Sequence, residues 1–240
     1  MPINQFDVLF RQPEVIARFG NLTAASTAEV LVAARAYVEQ ASQAQRSVVS
    51  TSAQDAPAGT GAKKVKITYL TSAYVVKTEE VTLNGTTAVN TVATDIRFIE
   101  KFEVSQGAAA AGAIKIMTTT EGGGTEFCGI GVGTYDAFLC HHYVPAGKKA
   151  WVLQWAASVD DETKFKLVGR IKPNGTDLVD THVDLKNLMG ITTPPGFLLF
   201  VCELLAAAMP AQAYIRITAV PNQATSTTIR THLYIWEEAA

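Results

Sequence analysis

Charge of either sign is sparse in this sequence. Asp, Glu, Lys and Arg make up 18% of its 240 residues, against roughly a quarter in ordinary globular domains. The two signs nearly cancel, leaving a net charge of −2. No basic excess points to nucleic acid, and no acidic tail points to a basic partner. A surface with few charges is expected where neighbouring subunits cover it. A β-rich chain with many Thr and Ala would give the same composition.

Cysteine is also rare. Cys128, Cys140 and Cys202 are too few and too scattered for a disulfide framework, and their spacing matches no zinc motif. Free thiols in a reducing compartment are the expectation. The opening residues Met1 to Phe6 carry no charged segment followed by an apolar one, so no secretory signal is expected. The most apolar run, Phe197 to Met209, is interrupted by Glu203 and bounded by Pro194, Pro195 and Pro210. It falls short of the ~20 apolar residues a membrane helix needs. Neither nucleic acid nor a membrane is an expected partner.

Motifs for chemistry are missing in the same way. Gly129-Ile130-Gly131-Val132-Gly133 has a glycine rhythm, but no helix pattern follows to present backbone N–H groups to a phosphate. There is no Gly-x-Ser-x-Gly elbow. Cys140, His141 and His142 are adjacent. On a strand Cys140 and His142 would share a face with His141 opposite, so the three cannot all ligate one metal. A site from Cys140, His142 and His182 is the one metal arrangement worth testing, and satisfied or exposed strand histidines are the expected reading. Asp160-Asp161-Glu162 reads as a solvated turn, with cation binding as its alternative. No catalytic residue, cofactor or metal is expected, and the chain reads as non-enzymatic.

What the sequence does contain is short strands between turns. Val65, Ile67 and Tyr69 alternate with Lys64, Lys66 and Thr68. Val81 and Leu83 face inward before Asn84-Gly85, a strong turn signal. Ile96, Phe98, Phe102 and Val104 are expected on one face of the next strand. Around Tyr135 to Pro173, apolar Trp151, Leu153, Trp155, Ala157 and Val159 recur with period two, which places both tryptophans on one face. Phe165, Leu167 and Ile171 oppose Lys164, Lys166, Arg170 and Lys172. At the end, Ile229, Leu233 and Ile235 face in, and Arg230, His232, Tyr234 and Trp236 face the other way. Such spacing argues for antiparallel sandwiches or jelly rolls over a parallel α/β sheet.

Ser26 to Arg46 supports two readings. Ser26-Thr27-Ala28-Glu29 fits a capping box ahead of a helical stripe. Val30, Val32, Ala34, Ala36 and Val38 fit one face of a strand. The residues before it look like an arm: Phe6, Val8, Leu9, Phe10, Val15, Ile16 and Phe19 are apolar, while Pro13 and Gly20 break any long element. The arm packs either on its own domain or on another subunit.

Three segments carry a resemblance. They are Ala58 to Tyr69 (AGTGAKKVKITY), Thr82 to Ile99 (TLNGTTAVNTVATDIRFI) and Tyr143 to Trp151 (YVPAGKKAW), the last followed by a strand ending in basic residues. With these the chain resembles structural proteins of tailed-bacteriophage virions over most of residues 45–240. The resemblance implies a strand for Ala28 to Glu39, and it brings no catalytic residues. The resulting expectation is an all-β protein. It comprises an N-terminal arm (1–25), a β-sandwich domain (26–126) and a second β-sandwich or jelly-roll domain (127–240). The expected role is a capsid decoration (cement) protein on the virion surface, made in the host cytoplasm. It would bind the major capsid protein and itself, as a homotrimer, with Phe6, Leu9, Phe10 and Phe19 as anchors. The alternative is a tail or head-fibre module that binds a host receptor or glycan, for which His232, Tyr234 and Trp236 are the nearest candidates.

Overall fold

Strands are the only regular secondary structure among the described residues. A computed structural model describes residues 15–24, 30–31, 33–35, 37–159, 165–172, 183–188, 196–198, 208–221 and 227–240. The chain divides into two compact units. One is contiguous, Ala33–Leu139, and is inserted into the other, which comprises Met1–Val32 and Cys140–Ala240. This differs from the expected division at 126/127. Near that point Gly122 and Gly124 both take a φ of +75°. They form a turn in which the Thr118 N–H donates to the Thr125 carbonyl at 2.9 Å. That turn joins two paired strands of the inserted unit.

The inserted unit contains β3 (Ser47–Ser50), β4 (Ala62–Leu70), β5 (Val76–Thr82), β6 (Val89–Asn90), β7 (Phe98–Gly107), β8 (Ile114–Met117) and β9 (Glu126–Ile130). They form a four-stranded sheet in the order β6-β3-β8-β9 and a three-stranded sheet in the order β5-β4-β7. Every pairing is antiparallel. The alternation expected for β4 holds, with Val65, Ile67 and Tyr69 buried. Val81 and Leu83 are buried as expected, and Gly85 takes a φ of +60° at the Asn84-Gly85 turn. The single face expected for Ile96, Phe98, Phe102 and Val104 does not survive. Thr68 pairs with Lys101 but Tyr69 pairs with Ile99, so Glu100 is an extra residue in β7. A bulge of one residue reverses the phase. Ile99 joins Phe102 and Val104 opposite Tyr69, Ile67 and Val65, and Phe98 stands on the other face opposite Leu70.

The divided unit contains β1 (Val15–Ala24), β2 (Val30–Leu31), β10 (His141–Tyr143), β11 (Lys148–Val159), β12 (Phe165–Lys172), β13 (Val183–Leu188), β14 (Gly196–Leu198), β15 (Tyr214–Pro221) and β16 (Thr227–Ala239). One sheet runs β1-β16-β11-β14, and the other runs β10-β15-β12-β13 with β2 also paired to β15. Val152, Ala157, Ile229, Leu233 and Ile235 from the first sheet cluster with Ile171, Ile215, Ile217 and Ala219 from the second. This is a sandwich core, and each fully buried Ile or Leu contributes about 1.5–3 kcal/mol of transfer free energy.

Three expectations change in this unit. Residues 15–24 of the expected arm form a ten-residue strand paired along its length with β16. Residues 1–14 lie outside the described residues. Ser26 to Arg46 yields only the short strand Val30–Leu31, paired with Ala219 and Thr218, and no helix among its described residues. Further along, its backbone is satisfied by distant partners: the Ala34 N–H donates to the Ala137 carbonyl and the Val38 N–H to the Phe127 carbonyl, both at 2.9 Å.

The third change concerns the tryptophans. Val152 pairs with Ile235 but Gln154 pairs with Tyr234, so Leu153 is a bulge residue. Trp151 therefore stands opposite Trp236, whereas the Trp155 position stands opposite Leu233. The two tryptophan positions fall on opposite faces of β11, contrary to the unbroken period of two.

Candidate functional site

Of the four expected anchors, Phe6, Leu9 and Phe10 lie outside the described residues. Phe19 lies on β1, at the edge of its sheet, and is 46% exposed. Its ring meets His232 and Tyr234 edge-on, at centroid distances of 5.1 and 6.5 Å. The three rings stand on β1 and β16, which places them on the outer face of this sheet, away from Leu233 and Ile235. Trp236 belongs to the same face but is buried, stacked on Trp151 at 4.9 Å. His232, Tyr234 and Trp236 thus occupy the middle of a strand, not the loop tip that a glycan or receptor reader would use.

The Cys-His-His cluster is buried throughout. His142 lies between a cation and an anion. Its Nε2 is 2.6 Å from Glu237 Oε1, and its Nδ1 is 3.3 Å from Arg18 Nη2. A guanidinium can only donate, so Nδ1 accepts and Nε2–H donates to the carboxylate. The ring is fixed in one tautomer and ties β10 of one sheet to β1 and β16 of the other. His141 points elsewhere, its Nδ1 3.2 Å from the Tyr214 hydroxyl. Tyr143 stacks on Tyr214 at 4.1 Å. Burial pushes the Cys140 thiol up to about 12, which leaves it protonated and a poor ligand or nucleophile. His182 and the Asp160-Asp161-Glu162 turn lie outside the described residues. Among those described, no group of three or more His, Cys, Asp or Glu side chains is gathered for a metal ion.

The inserted unit holds a polar centre that the sequence reading passed over. Asp55 is completely buried. Its Oδ1 accepts from the Ala62 and Ala111 N–H groups, each at 2.9 Å. Its Oδ2 accepts from the Ser50 hydroxyl at 2.5 Å and the Gly112 N–H at 2.9 Å. An ionised carboxylate offers about four acceptor positions, and all are filled. Asp55 therefore works as a knot between β3, its own loop, the start of β4 and the turn before β8. It has no lone pair left for acid–base chemistry. The neighbouring glycine explains itself: a Cβ on Gly61 would sit 2.3 Å from Asp55 Oδ1. The segment Asp55 to Gly61 does not show this by itself, because two of the four donors, Ala111 and Gly112, lie more than fifty residues further along the chain.

Gly129 ends β9 with Ile130, and Gly133, at φ +74°, belongs to the loop that follows. No helix starts there, so the glycine rhythm forms no phosphate cradle of the helix N-terminal kind.

No family model matches the chain, and no curated protein matches it. One solved structure, a crystal structure of the infectious bursal disease virus VP2 subviral particle, is weakly similar. It has 9% sequence identity and a TM-score of 0.24, over 92% of this chain and 71% of that one.

Proposed function

We propose that this chain is a non-enzymatic structural protein of a tailed-phage virion. In this reading it is a capsid decoration protein that binds the major capsid protein lattice as a symmetric oligomer, a homotrimer. The observation that supports it is where the phage-like segments fall in the fold. Ala58 to Tyr69 forms the Asp55 loop and β4, Thr82 to Ile99 forms the Asn84-Gly85 turn and the entry to β7, and Tyr143 to Trp151 joins β10 to β11. These are framework strands and turns, so the resemblance is one of architecture. The buried polar side chains fit the same reading. Asp55 and the His142–Glu237 pair are spent on holding strands together.

Binding would rest on apolar surface buried across subunit junctions, with Phe19 as an anchor at the rim of its sheet. Closed symmetry multiplies each such contact by the number of subunits. The test is to add the purified chain to empty capsids of the parent phage that lack it and to sediment the particles. Saturable co-sedimentation is expected. Phe19→Ala should weaken it about tenfold, the effect of losing one ordinary hot-spot contact. Failure of the wild-type chain to co-sediment at any concentration would remove the capsid-binding reading.

A further inference from the structure

Three hydrogen-bond donors in the inserted unit have no acceptor. Arg46 Nε, Arg97 Nη1 and the Tyr74 hydroxyl are all buried atoms without a hydrogen-bond partner among the described residues. They share one neighbourhood. The Tyr74 ring packs on Phe98 at 5.0 Å between centroids, and the Arg97 guanidinium lies over the same Phe98 ring at 4.6 Å. Arg46 donates through Nη2 to the carbonyl of Ile96, the residue next to Arg97, at 3.2 Å. The charge of Arg97 acts on both Arg46 and Tyr74.

Arg46 is only 3% exposed. Its Nη nitrogens donate to the carbonyls of Ser42, Ile96 and Thr118, which satisfies N–H groups but supplies no counter-charge. Burial first, and then the nearby Arg97, hold the Arg46 pKa below its usual value. Neither arginine joins an ion pair among the described residues. Glu39 is the carboxylate whose charge reaches Tyr74, yet no hydrogen bond joins the two. A buried arginine with no anion in contact is costly.

Tyr74 is held in place by its backbone. It is a non-glycine residue at φ +59° and is 1% exposed. That conformation is uncommon for an aromatic residue. Here the tight turn between β4 and β5 imposes it. The Tyr74 N–H donates to the Thr71 carbonyl at 2.9 Å, and the Thr71 N–H donates to the Val75 carbonyl at 3.1 Å.

We propose that Arg46, Arg97 and Tyr74 form a binding site for a small tetrahedral oxyanion of the phosphate or sulfate type. The donors are Arg46 Nε, Arg97 Nη1 and Tyr74 Oη. Single donors from three separate side chains suit an anion whose oxygens point in several directions. Arg97 is half-buried and gives the site its contact with solvent. The site is independent of the chain's place in a virion.

The experiment is thermal unfolding of the full chain in rising sodium phosphate, against sodium chloride at equal ionic strength. Wild type, Arg97→Gln and Tyr74→Phe are compared. The wild type should gain a saturable rise in Tm beyond that in chloride, as expected when an anion binds only the folded state. Arg97→Gln should lose that excess. Tyr74→Phe removes only an unpartnered hydroxyl, so it should keep its Tm in chloride and bind phosphate roughly tenfold more weakly. Sulfate should act like phosphate. No excess rise in the wild type would overturn the proposal. So would an equal excess in both variants, which is how a general salt effect on the protein surface behaves. Should Arg97→Gln fail to fold, the Tyr74→Phe titration decides alone.

Discussion

Trp151 and Trp236 stand directly opposite each other on β11 and β16, with their rings stacked 4.9 Å apart and 27° between planes. Lys149 lies over the Trp151 ring at 5.5 Å and pairs with Glu238 at 2.8 Å. The pair locks two neighbouring strands on the face of the sheet opposite Ile235.

Truncating either tryptophan to Ala should therefore cost about 3–5 kcal/mol, the range for a large buried aromatic. The double variant should cost less than the sum of the two, because the ring–ring term of about 0.5–1.5 kcal/mol is lost only once. Urea unfolding followed by far-ultraviolet circular dichroism gives the cycle. Full additivity would show that the stacked contact contributes nothing of its own.

Asp55→Asn tests the knot in the inserted unit. Asparagine keeps one acceptor oxygen but presents an NH2 group to two donors that the carboxylate now satisfies. The expected loss is about 3 kcal/mol, from buried donors left facing a donor. It would appear as a lower Tm and as faster hydrogen exchange at Ala62, Ala111 and Gly112. Unchanged exchange at those three amides would contradict the role assigned to Asp55.

Cysteine chemistry should follow burial. Desolvation raises both Cys128 and Cys140 above their ordinary 9.0, Cys140 to about 12. A folded-state pKa above the unfolded value favours the fold while the unfolded thiol stays protonated. That stability is intact below pH 9 and is lost between about 9 and 12, as the unfolded chain ionises first. Iodoacetamide at pH 8 should leave Cys128 and Cys140 unmodified in the native chain and label both in urea. Cys140→Ala should flatten the fall in stability across that alkaline window. An unchanged slope would assign the fall to other groups, of which Tyr74, also raised to about 12 by burial, is the first.

The alternation of Val65, Ile67 and Tyr69 in β4 and of Ile229, Leu233 and Ile235 in β16 was legible in the sequence because no extra residue falls within either run. The faces of β7 and β11 were not. Glu100 and Leu153 each add one residue to a strand, and an added residue is visible only against the partner strand's register. The insertion of residues 33–139 was hidden for a similar reason. A linear reading finds β1 and β16 at opposite ends of the chain, whereas the fold pairs them residue for residue. Arg18, His142 and Glu237 meet only because that pairing brings them together.

Copy number in the virion tests the proposed decoration role most directly. Quantitative mass spectrometry of purified particles gives the ratio of this chain to the major capsid protein. A decoration protein would be present in a fixed stoichiometry with the capsid lattice, on the order of one trimer for each repeated lattice position. A handful of copies per particle, in proportion to a tail or fibre component, would contradict it.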